Sequence, residues 1–207
     1  MDKRISTQIG NQALVEQKHR QIVYAASELF SKKGFHSTSM REISKEAGIN
    51  LSYLYKYISS KDDILYLFYK NLYEQWTNAY RILEEREYES PVEKLKAFIR
   101  HMLGLIHRAK REVLTMYTES RHLEADSLSS VLSAEEKMVN SLQRVIEEGK
   151  EKGYFKISDN IIAANIIQYL LVIEPLRGWN FIRNYTFPRF EDLMIDFILS
   201  ALGVKET

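Results

Sequence analysis

Apolar residues in this 207-residue chain recur at intervals of three and four, the period of a helix with one buried face, and no segment of substance alternates as a strand would. Residues 1–17 lack that period and are expected to form a flexible N-terminal arm. The first predicted helix runs from about Lys18 to Lys33 and buries Ile22, Ala26, Leu29 and Phe30. Gly34 stands at its C-terminal cap, followed by the apolar Phe35 that often accompanies such a cap. Ser39-Met-Arg-Glu42 is a capping box opening a short helix through Ala47, which Gly48 ends. Asn50 caps a third helix from Leu51 to about Tyr57. A long fourth begins at Ser60-Lys-Asp-Asp63 and reaches about Glu85, with Ile64, Leu65, Phe68, Leu72, Trp76, Ala79 and Leu83 on its buried side. Ser90-Pro-Val-Glu93 starts a fifth, whose core face is Leu95, Phe98, Ile99, Met102, Leu103 and Ile106. Further helices are predicted at about 112–123, 128–152, 159–177 and 189–202, the last stopping at Gly203. The pattern is all-α, about nine helices.

Composition agrees with that picture and removes several chemistries. Three Pro and eight Gly in 207 residues favour long helices over a strand-rich sandwich, and 45% apolar residues suffice for a core. There is no Cys, so no disulfide, thiolate metal site or cysteine nucleophile can form. Residues 1–17 have no apolar leader core. The longest apolar stretch, Ile161 to Ile173, is interrupted by Asn165 and Gln168 and falls short of the roughly 20 residues a bilayer span needs. A cytoplasmic protein without membrane contact is expected. The net charge of +1 is divided unevenly, +4 over residues 1–62 and −3 over residues 63–207. An N-terminal module facing phosphate fits that split.

The segment from Ile22 to Leu65 carries the chemistry. Two short helices joined by a glycine turn and packed on a preceding helix form a DNA-reading tripod. Ala47 lets the two helices approach, and Gly48 can take the positive backbone angle of a sharp reversal. Ile43 and Leu54 face inward. The third helix projects hydroxyls, aromatic rings and a lysine, groups that reach base edges, phosphates and thymine methyls in a major groove. Lys61 adds a cation beside the free N–H groups of the fourth helix. The candidate DNA-binding residues are Thr38, Ser39, Arg41, Asn50, Leu51, Ser52, Tyr53, Tyr55, Lys56, Tyr57 and Lys61.

The marks Ala25-Ala26, Leu29-Phe30, Gly34-Phe35, Thr38, Ile43, Ala47-Gly48-Ile49, Leu54-Tyr55, Tyr57 and Ser60-Lys61 resemble the tetracycline-repressor (TetR) family over about a fifth of the chain. The chain departs from the family where Leu51 and Tyr53 replace smaller or charged residues and Ile58 replaces the usual Phe. Tyr53 therefore either reads DNA or fills the gap left by Ile58. The resemblance implies a helix-turn-helix domain at 18–62 and a ligand-binding and dimerisation domain at 63–207. It also implies a regulator, a repressor by analogy, that binds a palindromic operator in double-stranded DNA. A homodimer formed through the last two helices is expected, because those helices are more apolar than a solvated face requires.

A small apolar or amphipathic effector is expected to release the DNA by favouring one tilt of the fourth helix. Candidate pocket residues are Trp76, Tyr80, Met102, Ile106, Met116, Tyr117, Tyr169, Arg177 and Trp179. Arg177 either pairs within the chain or meets a ligand carboxylate or phosphate. Some family members with an aromatic- and Arg-containing segment at this point respond to acyl-CoA thioesters. No cofactor, metal or catalytic residue is expected. His101 and His107 are six apart and do not align on a helix, and His122 is distant, so solvent-facing histidines are predicted. No glycine-rich phosphate loop, G-x-S-x-G elbow or H-E-x-x-H is present. Carboxylate pairs such as Glu147-Glu148 look like solubilising charge, so the chain is not expected to be an enzyme.

Overall fold

The computed structural model describes residues 3–181 and 183–204. Among these residues there are ten α-helices, one 3₁₀ turn and no strand. The helices are α1 (Gln12–Lys33), α2 (Met40–Glu46), α3 (Leu51–Leu54), α4 (Lys61–Glu84), α5 (Pro91–Arg108), α6 (Lys110–Glu119), α7 (Ala125–Glu151), α8 (Asn160–Leu171), α9 (Ile173–Phe181) and α10 (Phe187–Ala201), with the turn at Ser120–His122 between α6 and α7.

Two departures from the sequence pattern have physical causes. Helix α1 starts at Gln12, six residues before the predicted Lys18, because the Asn11 side chain accepts the Leu14 N–H at 3.1 Å and caps it. The expected arm of residues 1–17 is thus helical from Gln12, and its first two residues lie outside the described ones. The predicted helix at 159–177 is two helices, α8 and α9, bent by 52° at Val172. Pro175 lacks the N–H that would bond to the Leu171 carbonyl, and its ring crowds that oxygen, so the ladder breaks one turn before it. No single described helix is long and apolar enough to cross a membrane, although the bent pair α8 and α9 passes that test jointly.

The chain divides into two compact units. The first holds residues up to Glu74 together with Leu114–Ala134. Its interior is built on Ile22, Phe30, Ile43, Leu54, Tyr57, Ile58, Ile64 and Leu65, all essentially inaccessible. The segment preceding α1 is bonded to this unit. The Lys3 ammonium lies 2.6 Å from Asp62 and 2.9 Å from Asp63 and bonds the Ser127 hydroxyl, while the Thr7 hydroxyl and the Gln8 N–H both donate to the Lys56 carbonyl. Burial alone would raise the Asp62 carboxyl, but bonds from Lys3, Ser127 and the Glu124 N–H outweigh it and hold the group below the usual range.

The second unit holds Gln75–Val113 and residues from Glu135 onward. Within it, α5 packs against α8, α9 and α10. Its face of Leu95, Phe98, Ile99, Met102, Leu103 and Ile106 is buried, as the period of three and four predicts. At the end of α7 the chain folds back so tightly that the Tyr154 and Phe155 N–H groups both reach the Gly149 carbonyl. The Phe155 ring then occupies the space where a Cβ on Gly149 would stand.

Candidate nucleic-acid interface

The reading head assembles from local rules. Ser39 and Glu42 cap α2 reciprocally: the Ser39 hydroxyl accepts the Glu42 N–H, and the Glu42 carboxylate accepts the Ser39 N–H at 2.9 Å. Lys33 adds its ammonium at 2.5 Å from Glu42. The bond from Lys33, then those from Ser39, hold the Glu42 carboxyl down at about 2. Gly48 turns the chain at φ +65°, a left-handed conformation that a side chain would strain. Asn50 then caps α3 by accepting the Tyr53 N–H at 2.7 Å.

Because Glu42 is more acidic folded than unfolded, its contribution is fully present above its ordinary value of 4.5 and disappears as pH falls towards 2. Glu42→Gln should therefore melt at a lower temperature than the native chain near neutral pH. The gap should close between pH 4.5 and 2, as followed by circular dichroism. A gap that persists unchanged at pH 2 would remove the capping carboxylate as its source.

Burial sorts the predicted DNA residues. Arg41, Ser39, Asn50, Ser52, Tyr55 and Lys56 are exposed, while Leu51 and Tyr53 are half-buried. Three are placed otherwise. Tyr57, expected at DNA, has no accessible surface; its hydroxyl bonds to that of Tyr53 at 2.7 Å. Thr38 is buried, with its hydroxyl donating to the Gly34 carbonyl. The Lys61 ammonium turns inward, 2.6 Å from the Phe35 carbonyl oxygen and 2.8 Å from that of Thr38, and lies over the Phe35 ring. Burial pulls its pKa below the ordinary lysine value. These three hold the α1–α2 connection and the end of α3 in place, because each has more protein partners than solvent around it.

Supports that the sequence reading missed are His19, whose ring nitrogen lies 2.8 Å from the Tyr57 carbonyl, and Gln21, whose amide donates to the Ala47 carbonyl. Both side chains meet carbonyls left open at helix ends, and only the packing of α1 on those ends could reveal them. The Phe35 N–H donates to Glu119, and the Phe35 ring stacks on His122. His122 therefore does not face solvent as predicted: it is wedged between Phe35 and His36. His107 departs too, since its Nδ1 lies 2.9 Å from the buried Glu174 and its ring stacks on Phe187.

The nine predicted pocket residues fall in both units. Trp76, Tyr80, Met102 and Ile106 are buried in the second unit, whereas Met116 and Tyr117 belong to the first. Tyr80 donates to Gln168 at 3.0 Å and borders a cavity of about 10 Å³ with Leu83, Phe98, Leu142 and Val145. That space suits one water-sized group. Tyr169, Arg177 and Trp179 are exposed, with the Arg177 guanidinium 5.6 Å from the Trp179 ring. A larger open cleft of about 510 Å³ lies elsewhere, between Ser90, Lys96, Tyr154, Lys156, Asp196 and Leu199.

Comparisons with known proteins agree with this geometry. A family model described as bacterial regulatory proteins, tetR family, matches residues 22–66, the segment of the tripod. A second, described as tetracyclin repressor-like, C-terminal domain, matches residues 88–172. The HTH-type transcriptional regulator HbdR of Aromatoleum sp. (strain CIB) is 22% identical over 96% of this chain and 88% of its own. Among solved structures, AibR in complex with isovaleryl coenzyme A and operator DNA superposes with a TM-score of 0.72 at 19% identity, covering 89% of this chain and 97% of that one. FadR from Bacillus subtilis in complex with stearoyl-CoA gives a TM-score of 0.74 at 21% identity, covering 88% and 98%. The two family models between them take in more than half of the sequence, and the chain belongs to the tetR family of bacterial transcription regulators.

Proposed function

We propose that this protein is a repressor that binds a palindromic operator as a homodimer and is released by an acyl-CoA thioester or a related amphipathic effector. One observation carries the DNA part: Leu54 and Tyr57 are fully buried while Ser52, Tyr55 and Lys56 of the same segment are exposed. The segment thus has an anchored side and a polar side free to enter a groove. Tyr55→Ala is expected to weaken operator binding about tenfold, the scale of one lost hydrogen bond with its apolar contact, without lowering the melting temperature. Titration of a labelled duplex carrying the promoter beside the protein's own gene measures this. Unchanged affinity would take Tyr55 off the DNA surface.

The dimer is supported by apolar residues left exposed in the second unit. Ile162, Ile166 and Tyr169 stand 59%, 55% and 58% exposed at intervals of four and three on α8, and Phe197 on α10 is 60% exposed. Such a stripe is buried by a second copy of itself in an isologous contact. The effector class rests on the relatives, since AibR and FadR were solved with acyl-CoA thioesters. Adding stearoyl-CoA or isovaleryl-CoA to the preformed DNA complex tests it. Release by either supports the assignment, and indifference to both removes it.

A further inference from the structure

Tyr53, in α3, and Tyr57, in the turn that follows it, share a single hydrogen bond of 2.7 Å between their hydroxyl oxygens. Two phenols joined this way leave one hydrogen uncommitted, and burial decides which. Tyr57 has no accessible surface. If its oxygen were the acceptor, its own hydrogen would be sealed inside without a partner, an arrangement proteins avoid. Tyr57 is therefore the donor, and the bond together with burial pushes its hydroxyl up to about 12.

Tyr53 is consequently the acceptor on its inner side, and its hydrogen turns outward. Its ring has little freedom to change that. It meets the Tyr57 ring edge-on at 5.1 Å, and the Lys56 ammonium lies 5.9 Å from its centroid. Its place in the first turn of α3, three residues after the Asn50 cap, is where reading helices contact base edges.

We propose that buried Tyr57 sets the polarity of Tyr53, making Tyr53 an outward hydrogen-bond donor to a base acceptor in the major groove. Guanine O6 or N7, adenine N7 and thymine O4 fit that donor, whereas the cytosine amino group presents a hydrogen to a hydrogen. Tyr57 is then a positioning residue acting through Tyr53. The inference rests on α3 entering the groove and adds what it reads there.

The test selects bound sequences from random duplexes with the full-length native chain, Tyr53→Phe, Tyr57→Phe and the double variant. Affinities are then measured for the selected operator and its single-base variants. Tyr57→Phe keeps the ring packing but frees the Tyr53 hydroxyl to turn, so it should lose about three- to tenfold of discrimination at one base pair per half-site, the scale of one hydrogen bond. Tyr53→Phe should lose discrimination at the same base pair, and adding Tyr57→Phe to it should change nothing further. A Tyr57→Phe effect that survives in the Tyr53→Phe background overturns the proposal, as does a Tyr53→Phe loss spread equally over all sequences, which marks a phosphate contact. Should Tyr57→Phe fail to fold, the Tyr53→Phe pattern alone decides. A native chain that enriches no duplex overturns the groove assignment itself, a result distinct from the others.

Discussion

Ile166→Asp is expected to yield a folded monomer whose operator affinity is lower by a hundred- to ten-thousand-fold, the range lost when two linked binding events become one. The side chain is 55% exposed in the single chain, so the substitution removes little internal packing. In the proposed dimer it lies between Ile162 and Tyr169 on the same face of α8, where a carboxylate would be sealed in an apolar seam beside its symmetry mate. Each apolar side chain newly covered contributes about 1–2 kcal/mol, so the seam depends on several acting together, and one unpaired charge outweighs them. Sedimentation at micromolar concentration should show the mass halved, with an unchanged helical spectrum. A variant that remains dimeric and binds operator as the native chain does would place the seam elsewhere.

Gly149→Ala is expected to destabilise the fold by about 3 kcal/mol, the upper part of the range for overpacking a core. The new methyl would stand 2.1 Å from two ring carbons of Phe155, which is itself buried. That ring cannot swing aside easily. The backbone at Tyr154 and Phe155 is tied to the Gly149 carbonyl by two hydrogen bonds of 2.8 and 3.1 Å. For a chain of this size the loss corresponds to a melting temperature lower by roughly 6–12 °C. Gly178→Ala, also within a helix but with open space around the added carbon, is the control and should melt at the native temperature or up to about 4 °C above it, since alanine favours a helix. Equal melting of both variants would mean that the bend after α7 yields more readily than its hydrogen bonds imply.

The helices were legible because their signals are local. Capping side chains at Ser39, Asn50 and Ser90 act over three residues, and each caps the helix it was expected to open. The buried faces of α4 and α5 follow from period alone. Pro175 is equally local, and the break of the predicted 159–177 helix at Val172 follows directly from its missing N–H. Asn11 as a cap was likewise readable and obscured by the absence of an apolar period around it.

The interface divided differently. Residue types and spacing marked the segment after Gly48 as a reading element, but not which of its tyrosines face inward. Tyr53, Tyr55 and Tyr57 are chemically alike, and their division into half-buried, exposed and fully buried depends on α1 and on the residues before it, which bond the carbonyls of Lys56 and Tyr57. Lys61 shows the same limit. A lysine at a helix start suits a phosphate by type, yet two carbonyls and a ring from the α1–α2 connection hold its ammonium. Which large apolar residues line a pocket was not legible for a related reason: at helical spacing such side chains serve core, cavity and seam alike.

From the amino acids alone came the helical class, most helix starts, the tripod with its glycine reversal and the family it resembles. All of these depend on groups within a few residues of one another along the chain. Only the folded arrangement decided that Tyr57, Thr38 and Lys61 support the reading head from within, that His107 meets Glu174, and that Tyr169 and Trp179 stand on the surface. Those outcomes depend on partners tens of residues away, and the free energy of burying or pairing a side chain is fixed by whatever the fold brings against it.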